Sequence, residues 1–124
     1  MIDVEIRKLG QGGIGKEIPK PEANAPFRIK GLGVRRGQEA LTYTIPSHSK
    51  KSKYYVKGIT IAEFEKAYSQ LVKNGIFTHQ WFNAQLSDCA KEGSCNFTTI
   101  GGVFELLGIA KYTERGKYIA TKRA

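Results

Sequence analysis

Between Gly10 and Lys16 the chain reads Gly10-Gln11-Gly12-Gly13-Ile14-Gly15-Lys16, which satisfies both GxGxxG and GxxxxGK. These spacings let backbone N–H groups close on a phosphate. That chemistry also needs a Ser or Thr after the lysine for magnesium and a helix starting there, whereas position 17 is Glu and Pro19 and Pro21 interrupt any such helix. The segment from Gly10 to Pro26, dense in glycine and proline, is therefore read as an exposed loop or arm. His48 and His79 are the only imidazoles and Cys89 and Cys95 the only thiols. The cysteines lie too far apart for a CxxC pair and are too few for a disulfide framework, so they are expected reduced. No Cys-His or zinc spacing links the four, and His79 beside Trp81 reads as a residue of a helix's first turn. Glu5, Glu17, Glu39, Glu63, Glu65 and Asp88 show no pattern that forces a carboxylate cluster. The sequence predicts no catalytic residues, no metal and no cofactor: a protein that is not an enzyme.

Charge is the stronger signal. Twenty Lys and Arg stand against 11 Asp and Glu, a net charge of +9, which favours polyanionic partners through counterion release. Residues 1–60 hold 12 basic and 5 acidic side chains, residues 61–124 only 8 and 6. If a nucleic acid is the partner, its phosphates are expected to meet Arg35, Arg36, Lys50, Lys51 and Lys53, the densest positive positions. Tyr54 and Tyr55, beside them, are of the type that stacks on unpaired bases, although aromatic residues in strands more often serve a core.

The elements that would position these residues follow from periodicity. Ile2 to Leu9 alternates apolar and polar, predicting a short strand. Phe27–Lys30 and Ala40–Ile45 predict a hairpin turning through Arg35 to Glu39, and Tyr54–Lys57 a further strand. Thr60 and Glu63 form a capping box for a helix with the stripe Ile61, Phe64, Ala67, Tyr68, Leu71 and Val72, closed by Gly75. A second helix starts at Thr78 and carries Trp81, Phe82, Gln85, Leu86 and Cys89. A third, Asn96 to Gly108, buries Phe97, Ile100, Val103, Phe104 and Leu107. Gly101 and Gly102 inside it predict close approach by another backbone, since each costs about 0.8–1 kcal/mol against Ala there. Ile109–Tyr112 and Lys117–Thr121 then alternate about Thr113-Glu114-Arg115-Gly116, a hairpin.

Helix, helix, helix, hairpin over Thr60 to Ala120 resembles the winged-helix DNA-binding domains. In that family the third helix enters the major groove and the wing touches backbone or minor groove. The resemblance implies Asn96, Thr98 and Thr99 as groove-facing polar groups and Arg115 and Lys117 as wing contacts. It also implies a regulator of transcription, of a kind that often works in pairs.

The expectation is thus one α+β domain. Residues 1–59 form a basic, strand-rich extension of short antiparallel strands, with the Gly/Pro loop at 10–26. Residues 60–124 form a three-helix, winged-helix-like unit with a C-terminal β-hairpin. Its function is expected to be non-catalytic binding of nucleic acid, duplex DNA ahead of RNA, in the cytoplasm. No run of apolar residues suits a membrane span, and no leader is recognised. The alternative is a protein-interaction or homodimerising module using Trp81, Phe82 and Phe104 as anchors.

Overall fold

The computed structural model describes residues 1–22, 25–46 and 54–124. It is a mixed α+β fold with two antiparallel sheets. Helix α1 (Ile2–Gly12) precedes strands β1 (Glu17–Ile18), β2 (Phe27–Arg35), β3 (Gln38–Pro46) and β4 (Tyr54–Thr60), which pair in chain order as the first sheet. Then come α2 (Ile61–Asn74), β5 (Ile76–Thr78), α3 (His79–Gln85), α4 (Ser87–Glu92), α5 (Cys95–Leu106), β6 (Ala110–Glu114) and β7 (Lys117–Ala120). The second sheet has the order β5-β7-β6, so the strand following α2 pairs with the last strand of the chain. Among the described residues no helix is long and apolar enough to cross a membrane.

The expected strand at Ile2–Leu9 is a helix. Ile2, Val4 and Ile6 satisfy a period of two, but Ile2, Ile6 and Gly10 are the buried positions, spaced by four, while Val4 stands exposed. Polar partners agree with the helix: Asp3 pairs with Arg7 four residues on, at 2.9 Å, and Glu5 with Lys8 three on, at 3.7 Å. The segment expected as an exposed loop from Gly10 onward instead carries the end of α1 and then β1, whose Ile18 is buried.

The first hairpin forms as expected and runs longer, with Arg35 opposite Gln38 and a two-residue turn at Arg36-Gly37, both at positive φ (50° and 74°). The Thr60–Glu63 capping box is present in both directions, and Gly75 closes α2 in the left-handed region. Phe64, Ala67 and Leu71 face the core from α2, Tyr68 is half-buried, and Val72, expected in the stripe, is exposed. The expected second helix is interrupted at Leu86, whose ψ of 51° leaves the helical region while its side chain stays buried. Ser87 and Asp88 then restart the chain as α4, types that favour a helix's first turn over its interior.

Helix α5 is the centre of the molecule. Phe97, Ile100, Val103 and Phe104 expose at most 1% of their surface, and burial of each such side chain contributes roughly 1.5–3 kcal/mol. Its two glycines are where the neighbours come closest. A Cβ at Gly101 would lie 2.1 Å from the ring of Tyr118 on β7, and one at Gly102 would lie 2.3 Å from the carbonyl oxygen of Pro19. One face of α5 thus meets the second sheet, and the adjacent face meets the chain just after β1. Core side chains from α1, both sheets and α5 form a single cluster.

Candidate nucleic-acid interface

The basic residues expected to meet phosphate do not share one place. Arg36 sits at φ 50°, a conformation disfavoured for a side chain, and four hydrogen bonds hold it there. Its guanidinium donates to both carboxylate oxygens of Glu63, to Glu92 and to the Gly58 carbonyl oxygen. Burial works against the Arg36 charge, but the Glu63 carboxylate outweighs it and holds the guanidinium above its ordinary value. Arg35 reaches Glu92 at 3.6 Å and donates to the Val56 carbonyl oxygen at 3.3 Å. Both arginines, expected as backbone contacts, are therefore engaged in joining the first hairpin to α2 and α4. Lys50, Lys51 and Lys53 lie outside the described residues, as does His48. They fall between Pro46 and Tyr54, so nine-residue β3, roughly 26 Å long, separates the Arg36 turn from the points where that segment leaves and re-enters the sheet. Tyr54 and Tyr55 at the start of β4 are each 60% exposed.

On α5 the expected groove-facing groups point inward. Asn96 is fully buried: its Nδ2 donates to the Cys89 carbonyl oxygen at 2.9 Å, and its Oδ1 accepts from the Tyr43 hydroxyl. Thr99 is 1% exposed, donates to the Cys95 carbonyl oxygen at 3.0 Å and accepts from Lys20 Nζ at 2.9 Å. The correction has a simple cause. With apolar residues round most of its circumference α5 is a core helix, and its polar side chains are its internal fastenings. Thr98 is half-buried and borders a cleft, while its hydroxyl donates to the Cys95 carbonyl oxygen at 3.2 Å. The alternative anchors are also core residues: Phe82 and Phe104 expose nothing, and Trp81 packs edge-on against Phe77.

The hairpin residues behave otherwise. Arg115 stands 88% exposed at the tip between β6 and β7, held only at 3.7 Å by the exposed carboxylate of Glu22. Lys117 follows it half-buried, and Lys111 is exposed on β6. Arg115 and Gly116 form one lip of the cleft that Thr98 borders, a cleft of about 290 Å³ between this hairpin, the start of α5 and the chain after β1. Lys20, Phe27, His79, Cys95 and Tyr112 also line it. Of these only His79 and Cys95 were weighed from the sequence, because the cleft joins segments up to 96 residues apart (Lys20 to Gly116).

Among the residues that line the cleft, Lys20 is strongly perturbed. Burial pushes its amine down to about 7, with the Cys95 thiol acting weakly the other way. Nζ lies 4.2 Å from the centre of the Phe27 ring and donates to the Cys95 carbonyl oxygen at 3.0 Å as well as to Thr99. The Phe27 ring also stacks on Tyr43, at 6.0 Å and 18°. The Tyr43 hydroxyl, 3.5 Å from the Cys95 sulfur, is pushed up, first by burial and then by that thiol. His79 lies flat on Phe97, at 4.7 Å and 2°, and its backbone N–H donates to the Gly116 carbonyl oxygen at 3.0 Å. Cys89 is buried and its thiol pushed up by that burial, while Cys95 is half-buried, and both are free thiols. Among the described residues no group of three or more His, Cys, Asp or Glu side chains could hold a metal ion.

Comparison with protein families, with curated proteins and with solved structures finds no match to this chain.

Proposed function

We propose that the protein is a non-catalytic nucleic-acid-binding protein that engages duplex DNA through its β6–β7 hairpin and the neighbouring end of the first sheet. The observation that carries this reading is Arg115, 88% exposed at the hairpin tip and paired only loosely with Glu22. Exposed pairs of this kind are worth about 0.2–1 kcal/mol, so a phosphate can take the carboxylate's place. Lys111 and Lys117 lie on the same hairpin, within a chain of net charge +9. The winged-helix resemblance gains support from the order α2-β5-α3-α4-α5-β6-β7 and from the pairing of β5 with β7. The buried state of α5 changes what that resemblance implies here: contacts go to the backbone, with little reading of base edges by Asn96 or Thr99.

Fluorescence anisotropy with a labelled duplex across a salt series tests the reading. Affinity is expected to fall linearly in log salt, and changing Arg115 and Lys117 together to Ala should lower the slope by about one per lost phosphate contact. Changing Lys50, Lys51 and Lys53 together to Ala should lower it further. Absence of binding at low salt would remove the proposal.

A second reading is favoured by a separate surface. A groove of about 520 Å³ is lined by Met1, Ile2, Val4, Tyr68, Leu107 and Ile109 among others, with Met1 89% and Val4 46% exposed. Such a surface suits a protein partner or a second copy, replacing the buried anchors Phe82 and Phe104 in that role. Sedimentation across a concentration series, repeated on Val4→Glu, tests it. A mass that stays monomeric at all concentrations rules out the second copy.

A further inference from the structure

We infer that the cleft between the β6–β7 hairpin and the start of α5 is a slot for one unpaired nucleotide, whose base packs against His79 and Tyr112 and whose phosphate is held by Arg115. The inference rests on the preceding reading and narrows it, from nucleic acid in general to strands that offer an extrahelical base.

Size comes first. At about 290 Å³ the cleft lies at the small end of the ~300–1,000 Å³ range of ligand sites, room for a single ring system and little more. The walls then select the ring. Phe27 already packs with Lys20 and with Tyr43, so its part is to hold the lysine in position. His79 has one face on Phe97, and Tyr112 meets Tyr118 edge-on at 67°. Their remaining surfaces line the cleft and offer π-faces of the kind on which bases stack whatever their identity. The His79 imidazole and the Tyr112 hydroxyl line the same cleft, so while one ring stacks on the base the polar atom of the other can meet its edge.

Charge selects what is attached to the ring. Arg115 stands on the lip as the cleft's exposed cation, facing the carboxylate of Glu22, while Lys20 in the wall is already engaged by the Cys95 carbonyl oxygen and Thr99. A nucleotide, a planar ring joined to a phosphate, matches both demands, and the nucleic-acid partner proposed above supplies one. A base stacked and paired within a duplex cannot enter, because the cleft admits one ring and not its neighbours. Extrusion costs a few kcal/mol from a paired site and least where the base is already unpaired.

The test compares, on the full-length protein, a labelled duplex, the same duplex with one bulged nucleotide, and free AMP followed by the ring NMR signals of His79 and Tyr112, with inorganic phosphate as control. The bulged form is expected to bind roughly tenfold more tightly, the equivalent of one base–aromatic stack. AMP, but not phosphate, should shift both rings. His79→Ala should abolish the bulge preference. The exposed changes keep the test independent of folding: Arg115→Ala should weaken both forms, and Glu22→Gln should strengthen both roughly two- to fivefold by removing the competing carboxylate. Equal affinity for both duplexes, or a preference that survives His79→Ala, overturns the slot and leaves the general reading standing. Loss of all duplex binding with AMP still shifting the rings would keep the slot as a free-nucleotide site and overturn the general reading. Silence in every arm overturns both.

Discussion

Lys20 is the residue whose surroundings have the clearest consequence for stability. Its amine, held down to about 7 in the folded protein, has a pKa near 10.5 once unfolded, so over that window the unfolded chain carries the proton and the folded one does not. Stability from this group therefore rises with pH between about 7 and about 10.5 and is flat below. The open side of the cleft, where Cys95, His79, Glu22, Arg115 and Tyr112 also face the amine's surroundings, reduces the effect to on the order of 2 kcal/mol. Urea unfolding of the native protein and of Lys20→Met across that range measures it as the difference between the two curves, since the thiol of Cys89 and the hydroxyls of Tyr43 and Tyr118, all pushed up by burial, lower the stability of both proteins towards the alkaline end. Asn96 makes a second residue-scale prediction. Asn96→Ala strips a partner from both the Tyr43 hydroxyl and the Cys89 carbonyl oxygen, so the loss should be about 2–4 kcal/mol in the same assay. A change near zero would mean that water serves the site as well as the amide does.

At the scale of elements, the glycines of α5 set a helix's propensity against its packing. Ala is the better helix former by about 1 kcal/mol, yet a methyl at 101 would stand inside the ring of Tyr118. Packing should win: Gly101→Ala is expected to destabilise by about 3 kcal/mol, read by thermal or urea unfolding. The first hairpin carries the opposite tension. Arg36 occupies a positive φ that glycine would adopt freely, but Gly cannot supply the bonds to Glu63, Glu92 and Gly58. Arg36→Gly should therefore lower stability by about 1–2 kcal/mol despite the relief of backbone strain.

These elements also show what periodicity can and cannot convey. The capping box at Thr60 and the hairpin of β2 and β3 were legible because each depends on residues near one another in the chain, and the crowding at Gly101 and Gly102 because a glycine pair inside a helix signals it, although the crowding groups, Tyr118 and Pro19, lie far off. Helix α1 was misread because Ile2, Val4 and Ile6 fit two periods, and only the charged pairs Asp3–Arg7 and Glu5–Lys8 distinguish them. Strand β5 has three residues, too few for any period to register, and is defined by β7, some 40 residues away. The inward turn of Asn96 and Thr99 follows from what packs on every side of α5, which the helix's own sequence states only as an excess of apolar residues. The cleft was illegible for the same reason in a stronger form, since its walls come from four separated stretches.

For the whole molecule, charge and fold are nearly independent. The Arg35, Arg36, Glu63 and Glu92 cluster takes two of the most conspicuous cations out of the external field, and the hairpin keeps its own. Raising salt should therefore weaken polyanion binding steeply while shifting the unfolding midpoint little, because the partly buried pairs are screened less than the exposed ones. Parallel salt series of anisotropy and thermal unfolding check this, and equal sensitivity in both would contradict it.

The docking of Gly102 on Pro19, and of Thr99 on Lys20, also orders events in time. During synthesis the amino-terminal strands leave the ribosome long before the helix that seals them, since Lys20 waits for Cys95 and Thr99, 75 and 79 residues later. Until α5 emerges, Ile18, Ile29 and Tyr43 have no lid, and nascent chains ending before Ser94 should be cut readily by protease. Refolding of the whole chain is then expected to be limited by closing these long loops, whatever the speed of its helices, so Thr99→Ala should slow refolding in stopped-flow.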